Sequence, residues 1–378
     1  MSHTRKSPGE GSITQRPDGR WQASLQVEGT RRTVYGKTRT EAAEKLRTLA
    51  DQARQNGHRL PDPGKLTLGD YLDDWLEQAE GRLRPKTLDR YDVAIRCHVR
   101  PTLGKLTLAK LTPLHLARLY AALRKETGLP SIEKVHRTLH KALGDAWRWG
   151  LIAANPAETV EPPRAEPKEP TLWTPEEASR FVRAMLDGEG GHYGNLFGFL
   201  LASGCREGEA LGLTWPDVDL EAASVRIDRQ ITHVANHPVE LPPKSRAGHR
   251  SIILPGWGVE ALRRQRAQVA EWRLKMGEGW RGGEHVFTTE HGTPPAPTNV
   301  RRAFLALCAR LGLPPIRVHD LRHLHLSLLA MANVPVKVAQ VRAGHSSPTL
   351  TQRVYQHVLG ADDADRQAAE ALARALGG

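Results

Sequence analysis

The chain has 378 residues, a formal net charge of +12 and an isoelectric point near 9.8. This length exceeds that of one ordinary hydrophobic core, so we expect two or three domains. No apolar run approaches the roughly 18 residues that cross a bilayer, which argues against a membrane protein. The basic excess indicates a polyanionic partner, and nucleic acid is the commonest large polyanion.

The cysteines and the N-terminus bear on location. Cys97, Cys205 and Cys308 are scattered along the chain without a C-x-x-C pair. This spacing supports neither a disulfide framework nor a cysteine zinc site. The first residues lack the apolar stretch of a secretory signal, so we expect a reducing, cytoplasmic location.

Residues 1–60 predict a small sheet with one helix packed on it. Apolar residues around Trp21, Leu25 and Val34 mark three short strands, and a helix follows from about residue 40 to 55. The segment has twelve Lys and Arg against six Asp and Glu. The basic residues of the sheet portion are Arg16, Arg20, Arg31, Arg32, Lys37 and Arg39. A small sheet can enter the major groove, so they predict a DNA-reading surface; the alternative is a solvated basic face.

A Pro- and Gly-containing linker over residues 57–64 precedes a predicted helical unit at 66–160. Apolar residues at helical spacing predict four helices there, which makes a compact bundle. Thr112 and Pro113 are typical of a helix start. His136 and His140 have a spacing that could hold a metal, but no acidic partner accompanies them, so ordinary surface or core histidines are favoured.

A second linker, residues 161–170, carries four prolines, and a third domain is predicted from 171 to 378. Thr174 and Glu177 predict a capping box at its first helix. Arg206 follows an apolar helix and a turn, with Glu209 three residues on. Farther along, V-E-L-P-P-K-S-R-A-G-H-R-S-I-I-L-P predicts a β-hairpin with residues 245–249 at its tip and Lys244 at its approach.

The C-terminal part gathers several polar groups within about forty residues. His319 and Arg322 are spaced i and i+3, so on a helix they project from one face. His345 follows in A-G-H-S-S-P. Tyr355 lies on a segment whose apolar residues recur at i, i+4 and i+8, as on an amphipathic helix. The final residues, 361–378, predict another such helix, which could pack on its own chain or on a neighbour.

Together these segments resemble the tyrosine recombinases, also called the phage integrase family. The catalytic set of that family occurs here in the family's order as Arg206, Lys244, His319, Arg322, His345 and Tyr355. The helical unit resembles the family's core-site-binding, SAM-like domain, and residues 1–60 resemble the arm-binding domain of lambda-type integrases. One departure is Ala343, because Leu usually precedes Gly-His at that point; the smaller side chain should loosen local packing.

The resemblance implies cleavage and rejoining of DNA through a 3′-phosphotyrosyl intermediate, and physical chemistry accounts for each residue. Two guanidiniums, Arg206 and Arg322, can hold both non-bridging oxygens of the phosphate. Tyr355 is the expected nucleophile, with nearby cations lowering its pKa and His319 as the expected base. Lys244 is placed to protonate the departing 5′ oxygen, and His345 to bond the phosphate. No cofactor, nucleotide or metal is expected.

The predicted fold class is therefore multidomain, mainly α with small β-sheets: an N-terminal sheet plus helix (1–60), a helical core-binding bundle (66–160) and a catalytic domain (171–378). The resemblance implies double-stranded attachment-site DNA as partner, a homotetramer on that DNA, and accessory excision or DNA-bending proteins in some systems. A Xer-type resolvase, a type IB topoisomerase and a non-enzymatic DNA-binding regulator are the alternatives. The separate N-terminal sheet favours integration or excision of a mobile element such as a prophage.

Overall fold

The structure is a computed structural model that describes residues 11–27, 30–55, 65–163, 171–235 and 237–359. It falls into two compact units, residues 1–167 and 168–378, and each is described by itself. The division into three domains stays a prediction. As predicted, the chain is mainly helical with small antiparallel sheets.

The first unit begins with the predicted three-stranded sheet and its helix. The elements are β1 (Ser12–Gln15), β2 (Trp21–Val27), β3 (Thr30–Gly36) and α1 (Arg39–Gln55). The strands are antiparallel in the order β1-β2-β3, and Ala23 lies opposite both Ile13 and Val34. Because residues at alternate positions of a strand share a face, Ala23, Leu25 and Val34 form one apolar surface, and it is buried together with Ala42 of α1.

The helical part of this unit contains the four predicted helices. Its elements are α2 (Leu68–Ala79), α3 (Pro85–Ala94), α4 (Arg100–Leu103), α5 (Pro113–Glu126) and α6 (Leu129–Arg148), and a π-turn at Ile95–Val99 joins α3 to α4. Their apolar faces enclose one core. His136 Nδ1 is hydrogen-bonded to the hydroxyl of Tyr120 at 3.0 Å. Among the described residues, no group of three or more His, Cys, Asp or Glu could hold a metal ion, which agrees with an ordinary role for His136.

The second unit packs helices around a central apolar helix. Its elements are α7 (Pro175–Leu186), α8 (Gly194–Ser203), α9 (Glu207–Leu211), β4 (Val218–Asp219), β5 (Ser224–Ile227), β6 (Gln230–Val234), β7 (His237–Leu241), β8 (Arg250–Ile253), α10 (Gly256–Met276), α11 (Pro297–Arg310), α12 (Asp320–Met331), α13 (Val336–Ala343) and α14 (Pro348–Leu359). α8 is buried along nearly its whole length, including Phe197, Phe199 and Leu200. The capping box of Thr174 and Glu177 begins α7, as predicted. α8 leads directly into the turn that carries Arg206.

The predicted β-hairpin around Lys244 is wrong in its pairing. β7 pairs with β6, and β8 pairs with β5, so the two strands on either side of Lys244 belong to different sheets. The physical reason is that pairing depends on which strands the core brings together, and adjacency in sequence does not fix it. Lys244 therefore lies on a connection between two sheets, which includes a short 3-10 turn at Arg246–Gly248.

Two further predictions concern membranes and the tail. No helix among the described residues is long and apolar enough to span a membrane. The C-terminal helix predicted at 361–378 lies outside the described residues.

Candidate active site

Arg206 is positioned by the turn that follows α8. Gly204 has a φ of +64°, a conformation that favours glycine, and an added Cβ would overlap the ring of His325. Arg206 is the residue before α9, and its backbone N–H donates to Glu209 Oε2 at 3.0 Å. Its Nη1 also donates to Glu209 Oε1 at 2.7 Å. This buried carboxylate thus fixes both the backbone and the guanidinium of Arg206.

Arg322 links the Arg206 turn to the turn before His345. Its Nη1 donates to the carbonyl oxygen of Gly204 at 2.8 Å, and its Nη2 to that of Ala343 at 2.6 Å. The residue is only 3% exposed. Burial, followed by the neighbouring charge of Arg206, lowers the pKa of Arg322 to about 9, so the guanidinium stays charged at neutral pH.

His319 is the residue before α12, and the charged residues on either side of it fix its turn. The carboxylate of Asp320 accepts from the backbone N–H of Arg317 at 2.8 Å and from its Nη2 at 2.7 Å. Burial, then His323 and Arg322, lower the pKa of His319 to about 4. The imidazole is therefore neutral at neutral pH and free to accept a proton.

His345 follows Gly344, whose φ is +66°. Its Nδ1 is hydrogen-bonded to Thr351 Oγ1 at 2.8 Å, which leaves Nε2 for another partner. Burial, then the charges of Arg322 and Arg206, lower the pKa of His345 to about 4. The same two guanidiniums act on His319, so these four predicted residues lie around one position.

Lys244 lies on the turn beside them. Its side chain is exposed and makes no hydrogen bond or ion pair with any residue that the structure describes. Its turn lies against the His345 turn, because a Cβ added to Gly344 would be 2.8 Å from the carbonyl oxygen of Ala247. The lysine therefore lies on a segment that packs against the site while its ammonium remains in solvent.

Tyr355 is not turned toward the four grouped residues. Its hydroxyl donates to the carbonyl oxygen of Val334 at 2.9 Å, and its ring packs with Leu326, Ala339 and Ala343. Burial raises the pKa of Tyr355, and no charged group among the described residues offsets that effect. The expectation that nearby cations lower this pKa does not hold in this conformation. Ala343, where we expected looser packing, is fully buried.

Three polar residues around the site were missed as functional candidates from the sequence. Glu209 was noted only as a charged neighbour, yet it is 2% exposed and binds both Arg206 and Arg250. The ring centroid of His323 lies 5.2 Å from that of His319. The sequence carried a signal for Arg250, because strand alternation places it on the same face of β8 as the buried Ile252.

The predicted DNA-binding residues of the sheet lie at the surface where they are described. Arg20 donates to the carboxylate of Asp18, and Arg16 lies 3.9 Å from the same group. Lys37 and Arg39 are exposed near the start of α1. The side chains of Arg31 and Arg32 lie outside the described part of the chain.

Comparison with known families gives two matches. The phage integrase family profile matches residues 173–361, half of the chain. The profile of the phage integrase N-terminal SAM-like domain matches residues 67–124. The first match contains all six residues of the predicted catalytic set.

Individual relatives cover nearly the whole chain. An integrase of Saccharopolyspora erythraea is 27% identical and covers 97% of this chain and 98% of its own. The Tn1549 transposon integrase in complex with a circular intermediate DNA has a TM-score of 0.66 at 20% identity, covering 81% of this chain and 99% of that one. A lambda integrase tetramer bound to a Holliday junction has a TM-score of 0.58 at 18% identity, covering 93% and 96%. The two structural likenesses establish the fold.

Proposed function

The chain belongs to the phage integrase family, a family of site-specific tyrosine recombinases, and from that premise we propose that it integrates or excises a mobile element. The proposed reaction cleaves and rejoins DNA through a 3′-phosphotyrosyl intermediate. The observation that carries the proposal is the grouping of Arg206, Arg322, His319 and His345 around one position, where two cations meet two neutral imidazoles.

This grouping suits the transition state of phosphoryl transfer. Negative charge develops on the non-bridging oxygens, and preorganised guanidiniums stabilise it most when water is excluded. Arg322 is buried and fixed by two carbonyl oxygens, and Arg206 is fixed by Glu209. We assign the two arginines to the phosphate, and His345 to a further hydrogen bond with it.

Tyr355 is the proposed nucleophile. Its phenol oxygen forms a bond to phosphorus, the bond from phosphorus to the 5′ oxygen breaks, and His319 accepts the phenol proton. Lys244 donates a proton to the departing 5′ oxygen. The reverse steps rejoin the strand to a new 5′ end, so no external energy source is consumed. Because the hydroxyl of Tyr355 is bonded to Val334, this contact must break before attack.

The partners follow from the same proposal. The DNA would be duplex attachment sites, with core sites bound by residues 66–160 and arm sites by residues 1–60. Exchange between two duplexes needs four cleavages, so we propose a homotetramer on DNA, with accessory bending or excision proteins as further partners. The proposed location is the cytoplasm.

Of the alternatives, a non-enzymatic regulator would not need the whole catalytic set, and a type IB topoisomerase or a Xer-type resolvase would not need the basic N-terminal sheet. That sheet, with Lys37 and Arg39 exposed on it, therefore favours an integrase. The alternatives make different predictions for the experiments below.

A nicked suicide substrate tests the proposal, built from attachment-site DNA recovered from the sequence flanking the gene. Wild type should form a covalent protein-DNA adduct that survives denaturation, and Tyr355→Phe should bind the same DNA without forming one. A persisting adduct in that variant would remove Tyr355 as nucleophile. Absence of an adduct with wild type on every candidate site would favour the regulator.

A second pair of substrates tests Lys244. A bridging sulfur in place of the 5′ oxygen leaves without needing a proton, so Lys244→Ala should recover cleavage on the sulfur substrate. Arg206→Ala should not recover, because charge stabilisation is still required. Equal impairment of Lys244→Ala on both substrates would contradict the general-acid role.

A further inference from the structure

Arg250 uses its whole guanidinium on three separate segments around the site. Nη1 donates to the carbonyl oxygen of Gly248 at 2.9 Å, on the turn that carries Lys244. Nε donates to the carbonyl oxygen of Arg342 at 2.7 Å, before the His345 turn. Nη2 donates to Glu209 Oε2 at 2.8 Å, the carboxylate that also holds Arg206. These segments are far apart in sequence and meet at this one side chain.

The burial of Arg250 argues against a purely structural role. Its side chain is 3% exposed, and Ile252 on the same face of β8 shows that an apolar residue fits this layer. A buried ion pair is often no more stabilising than well-packed apolar side chains, because desolvation offsets the attraction. A guanidinium here does what an apolar residue cannot, since it holds three acceptors in one fixed fork.

The turn at Gly344 is shaped around this guanidinium. A Cβ on Gly344 would lie 2.8 Å from Arg250 Nη1 and 2.8 Å from the carbonyl oxygen of Ala247. Backbone of the His345 turn, backbone of the Lys244 turn and the guanidinium therefore meet with no room for a side chain.

We propose that Arg250 is a positioning residue that holds the Lys244 turn and the His345 turn in fixed relation to Arg206. It touches no reacting atom and acts through Gly248, Arg342 and Glu209. Its catalytic consequence rests on the proposed function, because it matters most for delivery of a proton by Lys244, whose own side chain has no anchor among the described residues.

Arg250→Met tests the proposal, since it keeps the volume of the side chain and removes all three bonds. Arg250→Lys is the second variant, because one ammonium cannot reach three divergent acceptors. Arg226→Met is the matched control. Arg226 lies on the neighbouring strand and pairs with Asp217 at 2.8 Å, so its loss removes an ion pair without touching either turn.

The first readout is backbone amide exchange, which does not depend on the proposed function. The amides of Gly248 and His345 are bonded within their turns, to Ser245 and Gln340. In Arg250→Met both should exchange about tenfold faster or more, the effect of losing a hydrogen bond to a charged group, while Arg226→Met leaves them unchanged. Wild-type exchange at either turn would overturn the proposal. If Arg250→Met does not fold, Arg250→Lys carries the same measurement.

The second readout is the ratio of cleavage rates on sulfur and oxygen substrates, which does not depend on the folded fraction. A displaced Lys244 loses general-acid catalysis, so the ratio should rise about tenfold in Arg250→Met and less in Arg250→Lys. An unchanged ratio, with a raised one in Lys244→Ala, would show a merely structural role and overturn the proposal. If Lys244→Ala itself shows no rise, the general-acid assignment fails and amide exchange alone decides the role of Arg250.

Discussion

Replacing Glu209 by alanine should destabilise the second unit strongly. Glu209 is 2% exposed and lies between Arg206 and the buried Arg250. Its removal leaves Arg250 buried without a counter-charge, which costs about 3–5 kcal/mol. The contact with Arg206 adds little, because that side chain is 32% exposed and water can replace the carboxylate.

The pH dependence gives this prediction its sign. Burial alone would raise the pKa of Glu209, but the charges and hydrogen bonds of Arg250 and Arg206 outweigh it and leave the pKa lowered. A lowered folded-state pKa means that the stabilisation is present above the unfolded pKa of about 4.3 and is lost as the pH falls through the folded value. The difference between wild type and Glu209→Ala should therefore be full at pH 7 and narrow below pH about 4.

Calorimetric unfolding of the whole protein at several pH values measures this effect. A loss of about 3–5 kcal/mol corresponds to a fall of roughly 6–20 °C in the melting transition of a unit this size. Glu260→Ala is the control, because it removes a half-exposed i,i+4 pair with Arg264 and should cost about 0.5 kcal/mol or less. A transition for Glu209→Ala within about 1 °C of wild type, or a difference that grows as the pH falls, would refute the reasoning.

Three further predictions concern other parts of the chain. Burial lowers the pKa of His325 to about 4, so folding loses stability as the pH falls from about 6.5 toward 4, and His325→Gln should flatten that slope in urea unfolding at pH 7 and 5; equal slopes would contradict it. Gly344→Ala should impair cleavage more than Gly191→Ala, since both have a φ of +66° but only Gly344 has neighbours within 4 Å; equal effects would leave backbone strain as the cause. Deleting residues 1–60 should leave core-site cleavage intact, abolish arm-site binding and flatten the salt dependence by about 0.9 per lost phosphate contact, whereas an unchanged footprint would favour a Xer-like enzyme.

Much of the local structure was predictable because it depends on local chemistry. The capping box of Thr174 and Glu177 and the helix over 348–359 were confirmed because caps and apolar spacing act within a few residues. The pairing of β7 and β8 was not predictable in the same way. Their partners are β6 and β5, and only the packed core decides between partners that look equally suitable in sequence.

The candidate site divides along the same line. The six residues of the catalytic set follow motifs whose order is visible in the sequence, and the structure groups Arg206, His319, Arg322 and His345. Contacts between distant segments could not be derived from motifs. The three bonds of Arg250 span 41 residues to Glu209 and 92 to Arg342, and the hydroxyl of Tyr355 lies on Val334 because of how α14 packs.

The measurement that tests the central claim most directly is identification of the covalent bond. Wild type should be trapped on a nicked suicide substrate, digested with protease and nuclease, and the nucleotide-bearing peptide sequenced by mass spectrometry. The account predicts one modified residue, Tyr355, joined to a 3′ phosphate. Attachment to any other residue, or to a 5′ phosphate, would contradict it.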